Sequence, residues 1–191
     1  MPEAKPNGPE DAILLVDVQN DFCPGGALAI EEGDRIIPVL NEWIREGVRT
    51  GAFLAASRDW HPKEHISFHH RGGPWPPHCI QGTEGAAFHP DLELPEGTAI
   101  LSKADRPELE AYSAFDGTGL GEMLRERGVR RVFVGGLAQD VCVRATVLEA
   151  LDRGLETYLL LDATRPVDAE KGEEALREME ARGAHIRRGT P

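Results

Sequence analysis

The sequence predicts an α/β fold of three layers, α/β/α, with a central, mainly parallel sheet of about six strands and Rossmann-like topology. Short runs of consecutive apolar residues, most of them ending at a polar residue or at glycine, are typical of strands that are covered on both faces. Amphipathic segments with helical spacing lie between these runs. Strands that alternate with helices imply right-handed β-α-β crossovers and therefore a parallel sheet.

The first strand is predicted at residues 12–16, where the sequence reads Ala-Ile-Leu-Leu-Val and Asp17 follows. Asp162, which follows the fifth apolar run, is interpreted as a structural cap. By the same pattern, the remaining strands are predicted at residues 52–57, 98–101, 131–134, 155–161 and 185–186.

The first helix is predicted to begin at Asp34, which is placed to cap its N-terminus, and Pro38 is tolerated near the first turn. Apolar residues recur along this segment at helical spacing. Gly128 and Gly154 are stop signals after the second and third helices. The four helices are predicted at residues 34–49, 116–127, 141–153 and 169–182.

The composition predicts a single domain over residues 1–191, with a flexible lead-in at residues 1–11. The net charge of −12 argues against nucleic-acid and membrane partners, because both favour a basic surface. No apolar run is long enough to span a bilayer. The three cysteines are widely spaced and form no CxxC pair, so we expect free thiols and a cytoplasmic location.

Six of the seven histidines lie between His61 and His89, in a segment rich in proline and glycine. Asp59 and His61 alternate along an extended segment and therefore face the same side. With His78 they form a set of two imidazoles and one carboxylate, which predicts a site for one divalent metal ion. His65 and Ser67 are further candidate contacts that the sequence leaves open.

Reactive side chains follow several predicted strands, at the sheet edge where ligands bind in parallel α/β folds. Cys142 lies near a helix N-terminus, which is expected to lower the pKa of the thiol. Asp17 could exchange a proton with that thiol, and Lys103 could favour the thiolate. Taken singly, Cys142 is as readily explained as a small buried side chain, Asp17 as a helix cap and Lys103 as a surface lysine. Phe22 and Trp75 are either core residues or flank a flat aromatic substrate.

These residues lie in motifs that resemble the isochorismatase-like cysteine hydrolase family, and within it the nicotinamidases. The matching motifs occur in family order and cover nearly the whole chain. The most specific of these motifs is the histidine-rich loop that carries the predicted metal ligands, which relatives with other substrates generally lack. The matching segments are residues 15–22, 24–28, 58–62, 73–79, 102–104, 112–115 and 136–146.

The resemblance implies a catalytic trio of Asp17, Lys103 and Cys142, with the backbone N–H groups of Ala138 and Cys142 as the oxyanion hole. It also implies a cis peptide bond between Leu137 and Ala138. The implied activity is hydrolysis of nicotinamide to nicotinate and ammonia through a cysteine thioester, a step of NAD salvage.

For the metal site, the resemblance implies one divalent ion, most often zinc and in some relatives iron or manganese, bound by Asp59, His61 and His78. The ion would hold the pyridine ring of the substrate between Phe22 and Trp75. Relatives form monomers, dimers and larger assemblies, so a homo-oligomer is one of the states that the resemblance allows.

Three alternatives remain open at this point. The metal could itself activate the attacking water. The chain could be a relative with another substrate, either a different small amidase or an ether hydrolase of the isochorismatase type. It could also be a non-catalytic metal-binding or scaffold protein, although loss of Asp17, Lys103 or Cys142 would be expected of such a protein, and all three are present.

Overall fold

The computed structural model describes residues 4–191, and residues 1–3 of the predicted lead-in lie outside this range. Within residues 4–191, one parallel sheet of six strands has the order β3-β2-β1-β4-β5-β6. This confirms the predicted α/β class. The strands are β1 (Asp11–Val16), β2 (Phe53–Asp59), β3 (Ala99–Lys103), β4 (Arg131–Leu137), β5 (Glu156–Arg165) and β6 (His185–Arg187).

Helices cover both faces of the sheet. The described helices are α1 (Ile37–Thr50), α2 (Leu120–Glu126), α3 (Arg144–Asp152) and α4 (Ala169–Ala181). Alternate residues of β1 pack in different clusters: Ile13 and Leu15 lie with residues of α1, and Leu14 lies with residues of α2, α3 and α4. None of the helices within residues 4–191 is long and apolar enough to cross a bilayer.

Several predicted element boundaries are corrected by the structure. The helix predicted from Asp34 begins at Ile37, because a 3₁₀ turn, Gly33–Ile36, precedes it and Asp34 makes no capping hydrogen bond. The helix predicted from residue 116 begins at Leu120. Asp162 does not end a strand: β5 continues to Arg165, and the Asp162 carboxylate accepts a hydrogen bond from the N–H of Gly189.

The predicted lead-in, residues 1–11, is part of the packed structure where it is described. Asp11 is the first residue of β1, and Pro6 is buried. The carbonyl oxygen of Ala4 accepts a hydrogen bond from Arg187 Nε, and Ala4 packs against the hydrophobic core. The first strand therefore begins one residue earlier than predicted and is preceded by residues that contact the core.

The carboxyl ends of β1 and β4 meet at the edge of the sheet where chemistry is expected in this topology, because helices leave the sheet in opposite directions there. Gly136 in β4 has a φ of 124°, and a Cβ at this position would lie 2.1 Å from the carbonyl oxygen of Val16. Only glycine lets β4 approach β1 this closely. Asp17 and Ala104, directly after β1 and β3, both have a positive φ, so the chain turns sharply as it leaves the sheet.

Candidate active site

One buried ammonium joins the reactive side chains that follow three strands. Nζ of Lys103 lies 2.8 Å from Oδ2 of Asp17, 2.5 Å from Oδ1 of Asp59 and 3.5 Å from Sγ of Cys142. All four residues are buried. The ammonium donates hydrogen bonds to the Asp59 carboxylate and the Cys142 sulfur, and it forms an ion pair with Asp17. The structure therefore places Lys103 in contact with the other two residues of the predicted catalytic trio, Asp17 and Cys142.

Asp17 has no access to solvent, and this burial determines how readily it holds a proton. Oδ1 accepts a hydrogen bond of 2.7 Å from the Ser57 hydroxyl, and Oδ2 faces Lys103. Burial raises the pKa of Asp17 from 3.8 to about 6, although the charge of Lys103 opposes the rise. A carboxyl with such a pKa can both accept and return a proton near neutral pH.

Cys142 lies in a π-helical turn, Gln139–Val143, between β4 and α3. Burial raises the pKa of its thiol well above the ordinary value, and the Lys103 charge only partly offsets this. The net pKa is therefore raised and not lowered as predicted, because burial outweighs any lowering by the helix N-terminus. The resting sulfur carries its proton, so a base must remove the proton before the sulfur can attack.

The backbone before Cys142 contains the cis peptide bond that the resemblance implies. The peptide bond between Leu137 and Ala138 is cis, which confirms that expectation. The carbonyl oxygen of Ala138 accepts hydrogen bonds from the N–H groups of Val141 and Val143, and the N–H of Cys142 is not among its donors. Ala138 and Cys142 both line the same cavity.

Asp59, His61 and His78 form a buried group that can hold a metal ion. Nε2 of His61 and Nε2 of His78 lie 4.0 and 3.8 Å from Oδ2 of Asp59. Two ligand atoms that each lie about 2.0–2.2 Å from one ion can be no more than about 4.4 Å apart, and both of these distances satisfy this limit.

The donor chemistry of the two histidines also fits a metal ion. Nδ1 of His61 lies 3.0 Å from the His78 carbonyl oxygen, and Nδ1 of His78 lies 2.7 Å from the Pro76 carbonyl oxygen. A carbonyl oxygen only accepts, so each Nδ1 carries the hydrogen and each Nε2 keeps a lone pair for the ion. Burial also lowers the pKa of His61 to about 4, so its imidazole is neutral.

His65 and Ser67 are not part of this ligand group. The His65 ring stacks on His61 with centroids 4.4 Å apart, but both of its nitrogens have other partners. Nε2 lies 2.8 Å from the Leu109 carbonyl oxygen, and Nδ1 lies 2.7 Å from the Ser67 hydroxyl. His65 therefore supports His61 by stacking, and its hydrogen bonds hold the ring in place.

Asp59 belongs to both parts of the site. Oδ1 accepts from Lys103, and Oδ2 faces the two histidines. Burial alone would raise the pKa of Asp59, but the charge of Lys103 and the histidine contacts lower it below the ordinary value. Asp17, Asp59 and Cys142 also offer ligand atoms within 4.8 Å of one another, but the Lys103 ammonium contacts all three. The cation at that second group is therefore the lysine itself.

A cavity opens onto both parts of the site. Phe22 and Trp75, the two aromatic residues named from the sequence, line it together with Cys142 and the three metal-capable residues. The Phe22 ring lies 5.5 Å from the His78 ring, and Trp75 Nε1 donates a long hydrogen bond to the Tyr112 hydroxyl. Apolar side chains form much of the remaining wall: Leu28, Ile30, Ala111, Val141 and Val167. A flat ring with one polar substituent suits such a cavity.

Two residues near Asp17, for which the sequence analysis predicted no role, contact the site. Gln19 is fully buried and hydrogen-bonds both backbone groups of Asp59. The Asp21 carboxylate accepts from the N–H of Cys79, the residue after His78. No local sequence signal indicates these contacts, because the chain after β1 turns at Asp17 and forms a 3₁₀ turn at Asn20–Phe22.

Residues 11–190 match the isochorismatase domain in a comparison with protein families. The chain belongs to the isochorismatase family. This confirms the resemblance read from the motifs at the level of the family. The nicotinamidase of Escherichia coli is 39% identical to this chain over an alignment of 201 residues, which covers 93% of this chain and 94% of the relative. The nicotinamidase/pyrazinamidase of Mycobacterium tuberculosis is 40% identical over 180 residues, covering 88% and 93%.

Solved structures of the isochorismatase family agree with the described fold. The pyrazinamidase of Pyrococcus horikoshii in complex with zinc has a TM-score of 0.91 and 53% identity, covering 94% of this chain and 99% of that chain. A nicotinamidase from Acinetobacter baumanii has a TM-score of 0.88 and 34% identity, covering 96% of this chain and 98% of that chain.

Proposed function

We propose that this chain is a nicotinamidase that hydrolyses the carboxamide of nicotinamide to nicotinate and ammonia through a thioester on Cys142. One observation carries the proposal. The buried Lys103 contacts both the Cys142 sulfur and the Asp17 carboxylate, beside the Asp59–His61–His78 group. The nicotinamidases and pyrazinamidases among its relatives support this choice of substrate.

In the first half of the reaction, Asp17 accepts the proton of the Cys142 thiol, and the resulting thiolate attacks the carboxamide carbon. Lys103 stabilises the thiolate by its charge. The N–H groups of Ala138 and Cys142 hold the developing oxyanion, and each such donor contributes roughly 3–4 kcal/mol where it has been measured. Asp17 then gives its proton to the departing nitrogen, the C–N bond breaks, and ammonia leaves a thioester on Cys142.

In the second half, water replaces ammonia. Asp17, again ionised, accepts a proton from the water, and the hydroxyl oxygen attacks the thioester carbon. The C–S bond breaks, nicotinate is released, and the proton held by Asp17 returns to the sulfur. One carboxyl thus serves as base and acid in both halves, which is consistent with its pKa of about 6.

Asp59, His61 and His78 would hold one divalent ion, for which zinc is our choice because the similar pyrazinamidase of Pyrococcus horikoshii is in complex with zinc. When bound, the ion supplies a Lewis-acid site for the pyridine nitrogen and so fixes the orientation of the ring. Phe22 and Trp75 line the cavity and would flank the ring, so the carboxamide is directed towards Cys142.

A substrate series with ammonia detection tests the proposal. The purified protein loaded with zinc should release ammonia from nicotinamide, and much more slowly from benzamide, which has the same carboxamide but no ring nitrogen. Pyrazinamide, which keeps a nitrogen at the equivalent ring position, should also be hydrolysed. Failure to release ammonia from nicotinamide, or equal rates on nicotinamide and benzamide, would contradict the proposed substrate recognition.

We further propose that the protein works in the cytoplasm, because all three of its cysteines are free and a reducing compartment keeps them so. We also propose that the chain can form a homo-oligomer, which sedimentation of the purified chain would test. Fractionation of cells and sedimentation of the purified chain address these two proposals separately.

A further inference from the structure

Gln19 fixes the backbone of the carboxylate ligand. Its Oε1 accepts a 2.9 Å hydrogen bond from the N–H of Asp59, and its Nε2 donates to the Asp59 carbonyl oxygen at 2.8 Å. The same Nε2 donates to the Ala86 carbonyl oxygen at 2.9 Å. One fully buried amide therefore satisfies both backbone groups of Asp59 and anchors them to a second loop. The direction in which the Asp59 side chain leaves its strand is set by these bonds.

Asp21 fixes the turn that carries a histidine ligand. Its Oδ2 accepts a 2.7 Å hydrogen bond from the N–H of Cys79, and its Oδ1 accepts from the N–H of Ala27 at 3.1 Å. Cys79 directly follows His78 and has a φ of 47°, a left-handed conformation that is rare for residues other than glycine. A Cβ on Gly85 would lie 2.3 Å from Oδ2 of Asp21, so this carboxylate occupies space that only glycine leaves.

We propose that Gln19 and Asp21 are positioning residues of the metal site: Gln19 orients Asp59, and Asp21 orients His78. Together with Asp17 they are alternate residues of one segment, so the chain that supplies the base also fixes two of the three metal ligands. Neither residue lines the described cavity, so they act through the ligands and not on the substrate. The inference rests on the metal site of the proposed function, but zinc binding can be measured without substrate or turnover.

Zinc affinity of the full-length, metal-stripped protein tests the inference directly, by competition with a chromophoric chelator. Gln19→Met keeps the length of the side chain and removes its hydrogen bonds. Asp21→Asn keeps the shape but leaves only one oxygen to accept two N–H donors. Replacing a group that orients a metal ligand typically weakens metal binding by about 10–100-fold, and we expect a weakening of this size for each variant.

Two matched controls separate positioning from general stability and from charge. Asn41 is a buried amide that likewise donates to one backbone carbonyl, of Asp91, and accepts from one backbone N–H, of Glu93, and it has no hydrogen bond to the site. Asn41→Leu should lower stability but leave zinc affinity unchanged. Glu84→Gln removes an exposed negative charge from the loop beside Asp21, and it should also bind zinc like the unmodified chain.

The visible spectrum of the Co²⁺-loaded protein supplies a second signal, because its intensity follows the arrangement of the ligands. We expect it to change in Gln19→Met and Asp21→Asn and to stay constant in Asn41→Leu. Unchanged zinc affinity in both test variants, or equal weakening in Asn41→Leu, would overturn the inference. Asp21 is only half-buried, so Asp21→Asn decides the matter if Gln19→Met does not fold. A wild-type chain that binds zinc but releases no ammonia would count against the proposed reaction alone.

Discussion

Lys103→Met should destabilise the folded, metal-stripped chain by about 3–5 kcal/mol at neutral pH, because breaking a buried ion pair leaves uncompensated charge. The Lys103 ammonium lies 2.8 Å from the Asp17 carboxylate and 2.5 Å from the Asp59 carboxylate, and the exposed fractions of these two carboxylate side chains are 0% and 7%. Methionine fills a similar volume, so the loss reports charge and not a cavity. Two buried carboxylates then face each other without a cation.

The loss of stability should also grow with pH. Burial raises the pKa of Asp17 from 3.8 to about 6 in the folded chain, and Lys103 limits that rise. A raised folded pKa gives stability that is present at low pH and lost as pH rises through the folded value. In the wild type, the free energy of unfolding stops falling near pH 6. In Lys103→Met the pKa of Asp17 is higher, so the free energy of unfolding continues to fall at higher pH. Above that pH the difference should therefore increase, by up to about 1.4 kcal/mol per pH unit.

Urea denaturation of both proteins at several values between about pH 5 and about pH 8 measures the difference. A difference below about 1 kcal/mol that is independent of pH would be the behaviour of a solvated ion pair. That result would contradict the buried contact of Lys103 with Asp17 and Asp59.

Three further predictions concern activity. Cys142→Ala should abolish ammonia release. It should keep the zinc affinity of the wild type, because the sulfur is outside the Asp59–His61–His78 group. Near-normal ammonia release by this variant would exclude the covalent route. His78→Ala should weaken zinc binding and raise KM for nicotinamide more than it lowers kcat, and a loss confined to kcat would contradict the orienting role. Activity should fall at low pH with an apparent pKa of about 6, because Asp17 must be ionised to accept the thiol proton. A pH–rate profile of kcat/KM checks this, and an acid limb that persists in a still-active Asp17→Asn variant would assign it to another group.

The fold was largely predictable because the central strands β1 and β4 consist mainly of apolar residues and glycine and are buried nearly throughout. Boundaries were less predictable where local patterns continue beyond an element. The 3₁₀ turn Gly33–Ile36 keeps the helical spacing of α1, so the sequence placed the helix start at Asp34. β5 extends past Asp162 because Thr164 and Arg165 pair with Gly136 and Leu137 of β4 after a shift in register, which no local pattern indicates.

The candidate site was predictable where it depends on strand ends, as for Asp17, Lys103 and Cys142. It was not predictable where it depends on distant backbone partners. Gln19 bonds to a residue 40 positions away, and Asp21 to one 58 positions away. The rise of the Cys142 pKa could not be predicted without the fold. Burial outweighs any effect of the nearby helix on this pKa, and local sequence does not show how deeply a residue is buried.

In the proposed reaction, the Cys142 sulfur, which the Lys103 ammonium links to the Asp17 carboxyl, forms a covalent bond to the substrate carbon. Acid quenching during turnover of nicotinamide, followed by mass spectrometry of the intact protein and its peptides, tests it most directly. We expect one nicotinoyl group per chain, carried by the peptide that contains Cys142. Full turnover without an acylated chain, together with ammonia release by Cys142→Ala, would contradict it and assign the attack to a water activated at the metal site.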